Sequence, residues 1–160
     1  MSKKLSLLLI SGLALFLFAF GIYVFQNGFF SFWDSDVKRI DTEEAKQLLT
    51  ETSPILIDAR APEEFEVSHL KGSMLFEDGV LERLDKTQPI VIYCTIGVRS
   101  NRVAKQISDQ GFDVYDMKDG ILGWANGDLP IIDSEGQPTD RVHTYNKSFA
   151  HLLKKGTAVY

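Results

Sequence analysis

Cys94 is the only cysteine in this 160-residue chain, and Arg99 stands five positions after it, with Thr95, Ile96, Gly97 and Val98 between. A lone cysteine excludes an intramolecular disulfide and a thiolate zinc cluster, which leaves inert packing or nucleophilic chemistry. The neighbours favour chemistry. Gly97 lets a short loop turn so that successive backbone amides form an anion-binding nest, and the helix predicted after it adds the positive end of its dipole. Arg99 supplies a permanent cation. Each of these stabilises negative charge, and the attacking form of cysteine is the thiolate. Cys94 and Arg99 are therefore the expected catalytic residues, and Thr95, Ile96, Gly97, Val98 and Ser100 the expected binding loop.

The elements that must hold this loop alternate. Asp41 and Glu44 have the spacing of a capping box, opening a helix through Ala45, Leu48 and Leu49. Residues 54–57 and 90–93 are continuous apolar runs, as in strands covered on both faces, and Cys94 follows the second directly. Short helices are predicted from Pro62 and over 78–84, with a brief strand over 73–76 between them. A helix with Val103, Ala104 and Ile107 on its apolar face follows the cysteine loop and stops at Gly111. A strand over 113–117 and a short helix over 121–125 complete an α/β domain with a mostly parallel sheet, whose reactive crevice lies at the carboxyl ends of the strands. Residues 134–140 read as a turn-rich linker, and a last helix is predicted around Phe149, Leu152 and Leu153.

Residues 5–25 are apolar and uncharged, about 30 Å long as a helix and thus able to span a bilayer. A cleaved signal would have a shorter apolar region ending in small residues, whereas this run ends in Tyr23, Val24 and Phe25, so an uncleaved anchor is expected. Lys3 and Lys4 precede it and Asp34 and Asp36 follow, which predicts residues 1–4 in the cytoplasm and the folded part on the outer, periplasmic side of a single-pass membrane protein. Residues 26–36 would be a juxtamembrane linker, 37–130 the domain and 131–160 a C-terminal extension. Without Lys3 and Lys4 the remainder holds 15 basic against 22 acidic residues, which argues against nucleic acid as a partner.

The motifs resemble the rhodanese family of sulfurtransferases. Residues 56–74, LIDARAPEEFEVSHLKGSM, are similar to that family's first signature, with Asp58 and Arg60 as its Asp-x-Arg, then a Glu-aromatic pair, and His69 and a glycine ahead of the next strand. YCTIGVRS is similar to the active-site loop and DGILGW, 119–124, to the closing Gly-x-x-x-Trp stretch. Cysteine phosphatases carry five residues between Cys and Arg, and the four here make a tighter ring. The resemblance implies a three-layer α/β/α domain in which Cys94 cycles between thiolate and persulfide. It takes sulfur from a small sulfane donor such as thiosulfate and passes it to a thiol, a protein thiol or cyanide, with no cofactor and no metal. Asp58 and Arg60 would brace the sheet end, and an ion pair with Asp58 is the bland role open to Arg99. His69 would pack and hydrogen-bond, since a thiolate needs no general base. Thr95 and Val98 are neutral where many thiosulfate-using members carry a second basic residue, and Ser68 and Ser73 replace Gly and Ala. His143 and His151 read as solvated surface. The alternatives are a non-catalytic rhodanese-like binding module and a cysteine-dependent phosphatase or arsenate reductase.

Overall fold

The four residues Ile90–Tyr93 are buried on both faces of a sheet, and their alternation divides the core. Ile90 and Ile92 face one hydrophobic cluster with Ile57, Ala104, Ile107, Phe112 and Val114. Val91 and Tyr93 face the other, with Leu56, Met117, Ile121, Trp124 and Val142, as the two-residue period of a strand requires. This computed structural model describes residues 37–160, together with Phe18, Ala19 and Gly21. The expected membrane anchor and juxtamembrane linker otherwise lie outside the described residues, among which no helix is long and apolar enough to cross a membrane.

Five strands form the central sheet: β1 (Lys38–Ile40), β2 (Ile55–Asp58), β3 (Met74–Leu75), β4 (Ile90–Tyr93) and β5 (Val114–Met117). Their order is β1-β5-β4-β2-β3, and every pairing is parallel. The helices between them are α1 (Thr42–Thr52), α2 (Pro62–Val67), α3 (Val98–Ser108) and α4 (Gly120–Asn126). Ala45 of α1 and Ile121, Leu122, Trp124 and Ala125 of α4 cover one face, while Ala104 and Ile107 of α3 cover the other. The three layers expected of an α/β domain are thus in place. The capping box of α1 is complete: the Glu44 amide donates to Asp41 Oδ1 at 3.0 Å and the Asp41 amide to Glu44 Oε2 at 2.8 Å.

Three local expectations are corrected. The helix predicted over 78–84 is a 3-10 turn at Leu81–Arg83, because Gly79 at φ +76° leaves too few residues to carry an α-helical ladder. The linker expected over 134–140 contains half of a hairpin, β6 (Ile131–Ile132) against β7 (Pro138–Thr139). Asp133 closes its turn by accepting from the amides of Glu135 and Gln137. Asp36–Tyr160 is one compact unit, so the residues after 130 pack against the body. β8 (Arg141–His143) pairs in parallel with β9 (Thr157–Val159) around a 3-10 stretch at Lys147–Leu152, and Val142 is wholly buried in the core.

Candidate active site

Cys94 follows the last residue of β4 and lies at the carboxyl edge of the sheet, 1% exposed. The loop after it is tied down through its carbonyls. Cys94 O accepts from the Ile121 amide at 2.8 Å and Thr95 O from the Leu122 amide at 3.2 Å, while Gly97 O accepts from Arg39 Nη2 at 3.4 Å. In a trans peptide the carbonyl of one residue and the amide of the next point in opposite directions. The amides of Thr95, Ile96 and Val98 are therefore turned away from those partners. Helix α3 begins at Val98, so its first amides have no acceptor within the helix. The carbonyl side of the loop is occupied, and its amide side is free to hold an anion.

Two glycines permit the close approach. Gly97 has φ +78°, and a Cβ there would lie 2.0 Å from Lys118 O. Gly120 has φ +58°, and its Cβ would meet Thr95 O at 2.4 Å and Cys94 O at 2.5 Å. Gly120→Ala is expected to displace the loop, since backbone cannot yield as a side-chain tip can. It should cost about 2 kcal/mol in urea unfolding through backbone strain.

Polar networks fix the two flanks. On one, Arg99 makes two hydrogen bonds to Glu64, Nη1 to Oε2 at 2.6 Å and Nη2 to Oε1 at 2.8 Å, and a third from Nη2 to Thr95 Oγ1 at 2.8 Å. Thr95 Oγ1 donates to Glu64 Oε1 at 3.1 Å. The ion pair open to Arg99 is thus formed, with Glu64 as the acid and not Asp58. Asp58 is engaged by Arg60, whose Nε lies 3.0 and 3.1 Å from its two oxygens and whose Nη2 lies 2.7 Å from Oδ2. On the other flank, buried Asp116 accepts from Ser100 Oγ at 2.6 Å and from Arg39 Nε at 3.1 Å. Burial raises the Asp116 carboxyl above its ordinary value, only partly opposed by Ser100, Arg39 and Asn101.

Burial also pushes the Glu64 carboxyl upward, but the Arg99 hydrogen bonds and charge, the Ala61 amide and the Arg60 charge outweigh it, and the net shift is downward. A depressed carboxylate stabilises the fold above its unfolded value and loses that contribution as pH falls through its folded value. Below pH about 4.5, the ordinary value for this group, wild-type Tm is expected to fall more steeply than that of Glu64→Gln. Parallel Tm–pH curves for the two proteins would contradict this.

A cavity of about 210 Å³ opens onto Cys94, lined by Thr95, Ile96, Val98, Arg99, Tyr145 and Phe149. Several expected site residues stand elsewhere. Ser100 is wholly buried with its hydroxyl on Asp116, so its side chain anchors α3 and does not line the cavity. Asp58 and Arg60 are buried behind the loop, and Arg60 Nη2 ties Ser68 O at 2.6 Å. His69 stacks on Phe65 with centroids 3.8 Å apart and donates Nδ1–H to Phe65 O at 3.0 Å, away from the cavity lining. His143, expected as solvated surface, is 14% exposed with Nδ1 3.8 Å from Glu64 Oε1. That nitrogen accepts the Tyr145 amide at 3.2 Å, so in this arrangement it carries no proton toward Glu64. Glu64, Asp116, His143 and Tyr145 were not foreseen as site residues. Glu64 was visible only as the acid of the Glu-aromatic pair, Glu64–Phe65, in the first signature, with no role or partner attached; it also accepts the Ala61 amide at 3.0 Å.

The family model for the rhodanese-like domain matches residues 41–127, more than half of the chain. The chain belongs to the rhodanese-like family. Its rhodanese-like domain is 30% identical over 106 residues to a sulfurtransferase of Allochromatium vinosum, a match covering 62% of this chain and 99% of that protein. It is 28% identical over 97 residues to the thiosulfate sulfurtransferase GlpE of Vibrio cholerae, covering 58% and 92%. The solution structure of a polysulfide-sulfur transferase homodimer from Wolinella succinogenes superposes with a TM-score of 0.53 at 28% identity, over 61% of this chain and 80% of that one. The rhodanese-like match ends before Tyr145 and Phe149, which complete the cavity.

Proposed function

We propose that this protein is a sulfurtransferase held at a membrane by residues 5–25, its domain on the periplasmic side, in which Cys94 carries sulfane sulfur as a persulfide. The observation that carries this reading is the loop: a cysteine at its head, carbonyls tied to α4 and Arg39, amides turned the other way at the start of α3, and a cavity with Cys94 in its lining. Relatives named as sulfurtransferases support it. With thiosulfate as donor, the Cys94 thiolate attacks the outer sulfur, a new S–S bond forms, and the bond to the sulfonate sulfur breaks with its electron pair leaving on sulfite. The persulfide anion rests against the loop amides, which act as an oxyanion hole does for oxygen. A thiophilic acceptor such as cyanide then takes the terminal sulfur and returns the thiolate.

The test is incubation of the purified chain with sulfane donors, read by intact mass and by thiocyanate formation after cyanide is added. A gain of one sulfur atom on Cys94, reversed by cyanide, is expected. No gain with thiosulfate, polysulfide or an organic donor would overturn the reading. The charge pattern around residues 1–36 is tested separately by protease accessibility in spheroplasts, where degradation of the domain is expected; protection would place it in the cytoplasm.

A further inference from the structure

The wall of the Cys94 cavity opposite the loop comes from Tyr145 and Phe149, which touch edge to face with centroids 6.0 Å apart. Tyr145 is held at φ +70°, a conformation costly for a bulky residue, by its own amide on His143 Nδ1 and by the Thr144 amide on Val159 O at 2.8 Å. The residue is nonetheless 54% exposed, and Val98 50%, so both cavity-lining residues also present surface to solvent. Strain retained to hold an exposed ring beside a nucleophile points to a ligand that covers it.

The charge at the site points the same way. Arg99 is the lining residue with a permanent charge, and it is already paired twice with buried Glu64. Tyr145 covers it further, the ring centroid lying 4.9 Å from Cζ. A carboxylate this close cancels most of the attraction the guanidinium would exert on an incoming dianion. The remaining lining, Ile96, Val98, Tyr145 and Phe149, is mainly hydrocarbon and aromatic. A cavity of roughly 150 Å³ suffices to hold benzene, and this one, at about 210 Å³, has room for a ring.

We propose that the Cys94 cavity selects sulfane donors whose transferable sulfur is attached to an apolar, ring-sized organic group, the organic thiosulfonates, over the inorganic dianion thiosulfate. This rests on the sulfurtransferase reading above and specifies its donor class. In the step, the Cys94 thiolate attacks the sulfane sulfur of R–SO2–S⁻ and forms the S–S bond of the persulfide anion. The bond between sulfane and sulfonyl sulfur breaks, and R–SO2⁻ leaves with the electron pair. One negative charge enters on each reactant and one leaves on each product. The R group lies against Tyr145 and Phe149.

The experiment compares benzenethiosulfonate with thiosulfate as donors to the full chain in detergent, with cyanide as acceptor and thiocyanate as readout. Benzenethiosulfonate is expected to be preferred at least about tenfold in kcat/KM, the discrimination a single well-filled apolar pocket supplies. Phe149→Ala and Glu64→Gln should each shift the donor ratio toward thiosulfate by at least about fivefold, the first by opening the wall and the second by releasing the charge of Arg99. Because both donors are measured on the same preparation, partial unfolding cancels in the ratio. Equal use of the donors, or a preference for thiosulfate, overturns the donor assignment and leaves the sulfurtransferase reading standing. Absence of thiocyanate and of sulfur on Cys94 with both donors overturns the two together.

Discussion

Cys94→Ser is expected to abolish sulfur loading, lowering thiocyanate formation at least about a thousandfold with every donor. The substitution changes one atom in a position 1% exposed, so the fold should survive with an unchanged circular dichroism spectrum. What disappears is the nucleophile. A serine hydroxyl is a weak nucleophile without an adjacent general base. The imidazole seen in the sequence ahead of β3 cannot supply one, since His69 is committed to Phe65 and stands away from the cavity lining. Intact-mass measurement after donor treatment should show the wild-type chain heavier by one sulfur atom and the variant unchanged. A sulfur-loaded Cys94→Ser chain would show that sulfur adds elsewhere, and the site assignment would fall.

Asp58→Ala is expected to cost 3–5 kcal/mol, roughly the penalty for leaving one member of a buried ion pair alone. Both side chains are wholly shielded from solvent, and Asp58 answers the guanidinium of Arg60 with both oxygens. Burial works against the Arg60 charge, and Asp58, with help from Tyr93 and Glu64, more than restores it. Arg60 Nη1 already lacks a hydrogen-bond partner, so little else is available to take over. Urea unfolding followed by circular dichroism should show the loss. The double variant Asp58→Leu with Arg60→Met should recover a large part of it, because removing both charges also removes the cost of burying one. Equal destabilisation of the single and double variants would mean that packing at the end of β2, not the unpaired charge, sets the cost. Activity should fall with stability, since the Ala59 amide donates to Tyr93 O, one residue before the nucleophile.

The fold was legible because its signals are local. The runs at 54–57 and 90–93, the capping box at Asp41 and the glycine after the cysteine each act over a few residues, and together they place Cys94 at the carboxyl edge of a parallel sheet. The site was legible only in part. Glu64 lies 35 positions from the arginine it pairs with, and the Glu-aromatic pair that marks it in the sequence names no partner for it. Ser100 lies inside the motif, yet helix geometry turns it toward Asp116 and into the core. His143 and Tyr145 follow the strands that would have announced a domain, and two parallel strands of three residues carry too little pattern to be recognised ahead of the structure.

Tyr145 and Phe149 lie outside the stretch that matches the rhodanese-like family, whereas Cys94, Arg99 and Glu64 lie within it. On the donor proposal, the aromatic half of the selection lies outside the family stretch and the charge half, the Glu64–Arg99 pair, inside it, the two joined by the contact of the Tyr145 ring with Arg99. Exchange of residues 141–159 alone could retune which sulfur compound is accepted while the nucleophile, its amide cradle and the Glu64–Arg99 pair stay as they are. The tail acts as a replaceable die on a fixed press.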